Sequence, residues 1–353
     1  MGQPNQKSCS ILLAILAGML VASGPVRAVE IDEQLAIPAF NGTEGPARDI
    51  ADQLVRLGSQ QQLEGSYEQA INSWFQAIAI YQDLQDFSGM GLAYDYIGLA
   101  YARLGRFEAA EDALRRRLAV ARDNADLQGQ IFGWNNLGSL FLQRGYLGTA
   151  RESFDQALTV AQSVRNFQGI GLSLSNLALI ERSSGNLPEA AKLYESAANY
   201  RYQGNDLIGE ANTLNSLGDV FLALEEDSSA VGAYRLALRS AREIGDRPLQ
   251  LRALDGLFTI YLARGDRRDL TEVLDARVAL TLDGSLEGSS DRPQQLITYR
   301  QLGQYYEDLG RFITAQEYYT QALAIARSLE EKQQEVFLTN SLIRLGEGLQ
   351  NPE

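Results

Sequence analysis

Apolar residues along this chain recur three and four positions apart in short bursts, and each burst ends at a glycine or a polar cluster before a new phase begins. Between residues 128 and 164, Trp134, Leu137 and Phe141 share one face at helical spacing. Gly145 then stops that helix, and Ala150, Phe154, Ala157, Leu158 and Ala161 stripe the next. The pattern predicts two amphipathic helices and a tight turn. Gly138 and Ala150 allow the pair to approach closely, while Trp134, Phe141 and Phe154 fill the space around the contact. Residues 333–349, with Val336, Phe337, Leu342, Ile343 and Leu345, predict one further helix.

The same unit returns along the chain. Asp86, Asp126, Asn166, Asp206 and Asp246 are forty apart, and Gly89, Gly129, Gly169 and Gly209 follow the first four by three residues. A second row runs Gly65, Gly105, Gly145, Gly185, Glu225, Gly265, and a third runs Ala70, Ala110, Ala150, Ala190, Ala230. Such periodicity belongs to repeat architectures. Asp or Asn at the first row suits the cap of each first helix, where its side chain accepts a free backbone N–H.

Trp134-x2-Leu137-Gly138-x2-Phe141, then Gly145, Ala150, Phe154 and Ala157, resemble the tetratricopeptide repeat. Gly98, Tyr101, Gly105, Phe107 and Ala110 carry the motif in another unit. Leu217, Gly218, Phe221, Ala230, Tyr234 and Ala237 carry it in a third, and Leu302, Gly303, Tyr306, Gly310, Phe312, Ala315, Tyr319 and Ala322 in a fourth. The resemblance is to the long-period branch, as in kinesin light chains and Leu-Gly-Asn repeat adaptors. It implies an all-α, right-handed superhelical solenoid of about seven helix-turn-helix repeats over residues 50–329, with a C-terminal capping helix and tail over 330–353. In the sixth unit Phe258, Leu270 and Arg277 replace small residues, and about five extra residues around Asp283 to Asp291 precede the seventh, so a looser, bent joint is expected there.

Composition narrows the chemistry. The chain has no histidine and one cysteine, Cys9, which removes imidazole and thiolate catalysis, zinc and haem from consideration. A formal charge of -14 disfavours nucleic acid and anionic lipid as direct partners. Lys7, the apolar run from Ile11 to Ala22, and Val26-Arg27-Ala28 read as a secretory signal cut after Ala28, with an uncleaved anchor at residues 9–24 as the alternative. The expectation is an exported chain in a periplasm, thylakoid lumen or extracellular space, with residues 29–49 as a linker. No cofactor is expected. The acidic pairs Asp219 with Asp255 and Glu307 with Asp308 offer oxygen ligands for manganese, calcium or magnesium, but a solvated acidic face is the better explanation and no metal site is expected.

The resemblance also implies where a partner docks. Its groove is lined by the first helix of each pair, which places Arg56, Asp95, Arg103, Asn135, Asn136, Ser139, Asn176, Arg182, Asn212, Asn215, Asp219, Arg252, Asp255, Arg300, Gln304 and Glu307 there. In the family, asparagines at such positions hold the backbone of an extended peptide, since one amide offers both donor and acceptor. Lysine is nearly absent after residue 28, with only Lys192 and Lys332, which disfavours the lysine clamp of chaperone-binding members. Trp74, Tyr101, Trp134, Phe141, Phe154, Tyr194, Tyr234 and Tyr319 are expected in the core. The functional expectation is a non-enzymatic scaffold, monomer or weak dimer, that binds an extended segment of a partner protein and reaches membrane complexes only through it. Alternatives are a photosystem or thylakoid biogenesis factor of cyanobacterial type and a manganese carrier; a cytosolic peptide-pheromone sensor built on similar long repeats is disfavoured by the export signal.

Overall fold

The computed structural model describes residues 45–282 and 291–350; the expected signal, most of the linker and the insertion at 283–290 lie outside the described residues. Fifteen helices and no strand occur among the described residues. They form two compact units, divided between Glu226 and Asp227.

The first unit holds α1 (Pro46–Leu63), α2 (Tyr67–Asp83), α3 (Phe87–Arg103), α4 (Phe107–Asp123), α5 (Leu127–Gln143), α6 (Leu147–Ser163), α7 (Phe167–Ser183), α8 (Leu187–Gln203) and α9 (Leu207–Ala223). The second holds α10 (Asp227–Glu243), α11 (Arg247–Arg264), α12 (Arg267–Thr281), α13 (Arg292–Asp308), α14 (Phe312–Ser328) and α15 (Lys332–Gln350). Helix α1 starts at Pro46, inside the expected linker, because proline at a first helical position loses no hydrogen bond.

The forty-residue period has a local cause. From α2 to α10 every helix is 17 residues long, and three-residue turns separate them. Each turn contains one left-handed residue, and these fall twenty apart: Gly65, Gln85, Gly105, Ala125, Gly145, Arg165, Gly185, Asn205, Glu225, Gly245 and Gly265. In the turn after α2, Asp86 N–H donates to Tyr81 C=O at 2.8 Å, closing the six-residue C-terminal motif that such a residue permits. Glu225, standing where glycine is expected, adopts φ 60° all the same.

The capping expectation holds at all five positions. Asp86, Asp126, Asn166, Asp206 and Asp246 accept from the N–H of Gly89, Gly129, Gly169, Gly209 and Leu249 at 2.8–2.9 Å. The third row is equally physical: Ala70, Ala110, Ala150, Ala190 and Ala230 are all fully buried. Close approach explains the motif glycines. A Cβ on Gly58, Gly98, Gly138 or Gly303 would stand 2.3–2.7 Å from the side chain sixteen residues on, respectively Trp74, Leu114, Phe154 and Tyr319.

In the sixth repeat the glycine of this pair is replaced. Phe258 takes the glycine position, Leu274 takes the large position, and both are buried. Helix α12 has 15 residues and packs less extensively on α13 than other successive helices within each unit. Its Arg277, fully buried, donates to Asp255 at 2.6 Å, Gln294 at 2.9 Å and Thr298 at 3.1 Å, so a polar network crosses the joint. Helix α15 covers α14 with Leu338 and Leu345 buried, whereas Val336 and Ile343 point outward.

Candidate partner-binding face

Helices α3, α5, α7 and α9 of the first unit repeat one stripe with the same phase, of which Leu99, Asn136, Ser139, Leu172, Asn176 and Leu179 are buried. It comprises Leu92, Tyr96, Leu99 and Arg103 on α3, then Phe132, Asn136, Ser139 and Gln143 on α5. On α7 it is Leu172, Asn176, Leu179 and Ser183, and on α9 Asn212, Ser216, Asp219 and Ala223. Spacings of four, three and four keep each set on one helix face. Arg103, Gln143, Ser183 and Ala223 are exposed, while Leu92, Tyr96, Phe132, Asn212, Ser216 and Asp219 are half-buried.

The asparagines depart from expectation. Asn135, Asn136 and Asn215 are 0% exposed and Asn176 is 1% exposed, so they are not solvent-facing groove residues. They are consumed between repeats. Asn136 Nδ2 donates to Asp95 Oδ1 at 2.8 Å, and Asn176 Nδ2 donates to Asn135 Oδ1 at 2.9 Å. Asn135 Nδ2 in turn donates to Ile131 C=O at 2.9 Å and Ser173 Oγ at 3.1 Å. Both inter-repeat pairs join residues 41 apart, which is one repeat plus one residue.

The acceptors fix the amide orientations. A carboxylate oxygen and a backbone carbonyl only accept, so Asn136 turns its NH2 to Asp95, and Asn135 turns its NH2 to Ile131 and its oxygen to Asn176. Asn136 Oδ1, Asn176 Oδ1 and Ser139 Oγ are thereby left without a hydrogen-bond partner among the described residues.

Asp95 itself is 2% exposed. Arg117 Nε reaches its other oxygen at 2.9 Å, and burial raises the carboxyl above its ordinary value while Arg117 opposes the rise. The second unit repeats this arrangement: Asp255 receives Arg277 at 2.6 Å and Gln301 Nε2 at 2.7 Å. Asp95 to Asp255 and Arg117 to Arg277 are each 160 residues, four repeats. Gln301 follows Asp255 by 46, the 41 of the other pairs plus the five-residue insertion.

The other expected site residues are scattered. Arg56 and Arg103 are exposed, and Arg182 and Asp219, both half-buried, approach to 3.8 Å. Asn212 and Arg252 are half-buried on α9 and α11. Arg300 donates to Gln334 at 2.9 Å and lies 5.9 Å from the Phe337 ring centre, so it secures α15. Gln304 is half-buried, and Glu307 is occupied by Tyr319 Oη at 2.8 Å and by Arg344 at 3.0 Å. Among the described residues no three His, Cys, Asp or Glu side chains converge as a metal site, and no helix is long and apolar enough to cross a membrane.

Residues that sequence reasoning missed are the buried arginines. Arg48 pairs with Asp86 at 3.0 Å, Arg117 with Asp95, Arg201 with Asp206 at 2.6 Å, and Arg277 with Asp255. For Arg117 and Arg201 the signal was the glycine opposite: a Cβ on Gly91 would lie 2.4 Å from Arg117, and one on Gly171 would lie 2.5 Å from Arg201. The aromatic expectation holds for Trp74, Phe141, Phe154, Tyr194, Tyr234 and Tyr319, all buried. Tyr101 and Trp134 are half-buried at the margin of the core, Trp134 beneath Arg122 at 4.9 Å.

Among solved structures, a signal-transduction ATPase with numerous domains from Pyrococcus horikoshii, which carries a tetratricopeptide repeat sensor, aligns with a TM-score of 0.59 at 14% identity. The alignment covers 82% of this chain and 44% of that one. Aspartyl phosphate phosphatase F from Bacillus subtilis aligns at 0.53 and 14% identity over 77% of this chain and 69% of its own. A Rap protein complexed with Competence and Sporulation Factor aligns at 0.50 and 14% identity over 84% and 74%. At such identity these likenesses show the fold. No curated protein sequence matches the chain. Tetratricopeptide repeat models match residues 93–128, 133–163, 169–243 and 279–328. With more than half its length matched, and with the glycine, alanine and aromatic positions packed as the repeat requires, the chain belongs to the tetratricopeptide repeat family.

Proposed function

We propose that the chain is a protein-interaction scaffold that holds an extended segment of a partner along the stripe on α3, α5, α7 and α9. The repeat family supports the general role. The carrying observation is the in-phase set of accessible side chains on four first helices: Tyr96 and Arg103 on α3, Phe132 and Gln143 on α5, Ser183 on α7, and Asn212, Ser216 and Asp219 on α9. Aromatic, amide, hydroxyl and charged groups in such a row suit the side chains and backbone of an extended segment. The reading assigns no catalytic residue. It includes export, with residues 1–28 removed; the mature chain from its source should then begin at Val29 by mass spectrometry, and a mass that retains residue 1 counts against export.

The test uses the full mature chain as bait in an extract of its source, beside a variant carrying Phe132→Glu, Gln143→Glu and Asn212→Asp. These positions are half-buried or exposed, so circular dichroism should stay native. Loss of the captured partner with the folded variant supports the stripe. Equal capture by both forms overturns it.

A further inference from the structure

A second surface of different chemistry lies wholly within the second unit. Helices α10 and α12 run beside one another over α11 and leave a cleft of about 530 Å³. Its floor is apolar: Leu254 and Leu257 of α11 and Val273 of α12 line it and are 1–6% exposed. Its α10 wall carries Arg235, Arg239 and Arg242, placed on one helix face by spacings of four and three.

The arginine row is not a requirement of the repeat. At the corresponding positions forty residues earlier stand Glu195, Asn199 and Tyr202, and eighty earlier Asp155, Thr159 and Gln162. One hundred and twenty residues earlier stand Arg115, Ala119 and Arg122, where Glu111 holds Arg115 at 2.9 Å and Arg122 covers Trp134. Arg235 is likewise engaged, with Asp269 on the opposite wall at 3.3 Å. Arg239 and Arg242 are exposed and make no ion pair or hydrogen bond among the described residues. In a chain of net charge -14, two uncommitted guanidiniums above an apolar floor are a local reversal of sign.

Tyr261 adds a polar group to the same cleft. It is 3% exposed, and its hydroxyl makes no hydrogen bond of normal geometry. Its phenol is un-ionised at neutral pH and can donate a hydrogen bond, and the Arg235 guanidinium lies 5.8 Å from its ring centre. Arg235 to Arg242 spans about 10 Å of helix, the length of about three extended residues.

We infer that this cleft binds a short acidic and aliphatic segment of a partner polypeptide. An aliphatic side chain rests on Leu254, Leu257 and Val273, a neighbouring carboxylate is forked by Arg239 and Arg242, and a main-chain carbonyl accepts from Tyr261. Charge complementarity carries the choice of occupant: Asp269 and Glu272 on the α12 wall repel further acids, which confines the carboxylate to the α10 side. This site is separate from the stripe on α3 to α9 and does not rest on it.

The test measures fluorescence polarisation of fluorescein-tagged Glu-Leu-Glu-Leu-Glu with the full mature chain, beside the glutamine counterpart Gln-Leu-Gln-Leu-Gln. Saturable binding of the acidic peptide is expected, weakened about tenfold by the double variant R239Q/R242Q and by the glutamine peptide. Both arginines are exposed, so the variant keeps its native circular dichroism. Absence of binding, or equal binding by the double variant, overturns the assignment. So does full competition by inorganic phosphate at the peptide's own concentration, which would mean an anion site without an apolar component. Self-association in sedimentation that the double variant abolishes would make a second copy of the chain the occupant and would also overturn it.

Discussion

Asn136→Ala separates two roles for the same residue. On an exposed groove, removing an amide changes stability by less than about 0.5 kcal/mol. Here Asn136 is fully buried and donates to the buried Asp95 at 2.8 Å. Losing a hydrogen bond to a charged group costs about 1.5–3 kcal/mol, and the gap left by the side chain adds about 1 kcal/mol. Against that, the variant also deletes Oδ1, a buried acceptor with no partner, which returns about 1 kcal/mol at the lower end of its cost. The balance is a destabilisation of about 2 kcal/mol, close to thirtyfold in an equilibrium constant. Repeat arrays lose stability by neighbouring interfaces rather than all at once, so amide hydrogen exchange resolved along the chain is the appropriate assay. Exchange in α3 and α5 should quicken by about thirtyfold, with α13 to α15 unchanged. Unchanged exchange in α3 and α5 would refute the ladder as a structural element and return Asn136 to the role of a surface ligand.

Three further outcomes follow from the packing. Arg277→Met should destabilise the second unit by about 1–3 kcal/mol in urea unfolding, because it removes the donor to Thr298, Gln294 and the half-buried Asp255 carboxylate, and Asp255→Asn in the same chain should recover part of the loss. Gly138→Ala should cost about 1–3 kcal/mol, since the new Cβ would meet Phe154 at 2.5 Å. Gly232→Ala, within α10 and with nothing within 4 Å, should stabilise by up to about 1 kcal/mol; a raised melting temperature for the first or a lowered one for the second would contradict that prediction. Tyr81 donates to Asp52 at 2.5 Å and Tyr319 to Glu307 at 2.8 Å, and burial raises both phenols well above 10. An acid whose folded value is raised binds its proton more tightly in the native state. These two therefore contribute stability that is fully present below pH 10 and is lost as pH rises beyond it. Ultraviolet titration should show phenolate from Tyr81 and Tyr319 appearing only with unfolding, and their ionisation near pH 10 in the native chain would contradict the assignment.

The fold was legible because each of its rules is local. A cap needs Asp or Asn three residues before a covered glycine, and a turn tolerates a left-handed residue every twenty positions. A glycine sixteen residues ahead of an aromatic gives it a flat surface to lie on. All three reside in residue type and spacing, so the chain displays them without its coordinates. The turns after the second helices were less visible, since Gln85, Ala125, Arg165 and Glu330 adopt φ between 52° and 58° with no glycine to announce them. The closing hydrogen bonds of the turn offset a strain of about 1–2 kcal/mol at each.

The polar positions were misjudged for a reason that is itself periodic. Asn, Asp and Gln on the first helices fall where a solvated groove is expected, and a forty-residue alignment sets each residue beside its own counterpart. The contacts run one residue out of that register: Asp95 to Asn136 and Asn135 to Asn176 are 41 apart, and Asp255 to Gln301 is 46 apart across the insertion. Adjacent first helices therefore meet with an offset of one position, and a polar residue must find its partner at repeat length plus one. A search of the sequence at 41 rather than 40 would have paired these residues before any coordinates. It would also have shown why an arginine sits 22 residues after each of the two aspartates, since Arg117 and Arg277 supply the charge that lets Asp95 and Asp255 stand inside the stack. What remains for a partner is then defined by subtraction: the side chains of the stripe that stay accessible, such as Tyr96, Phe132, Gln143 and Asn212, and the arginines of α10 that no aspartate claims.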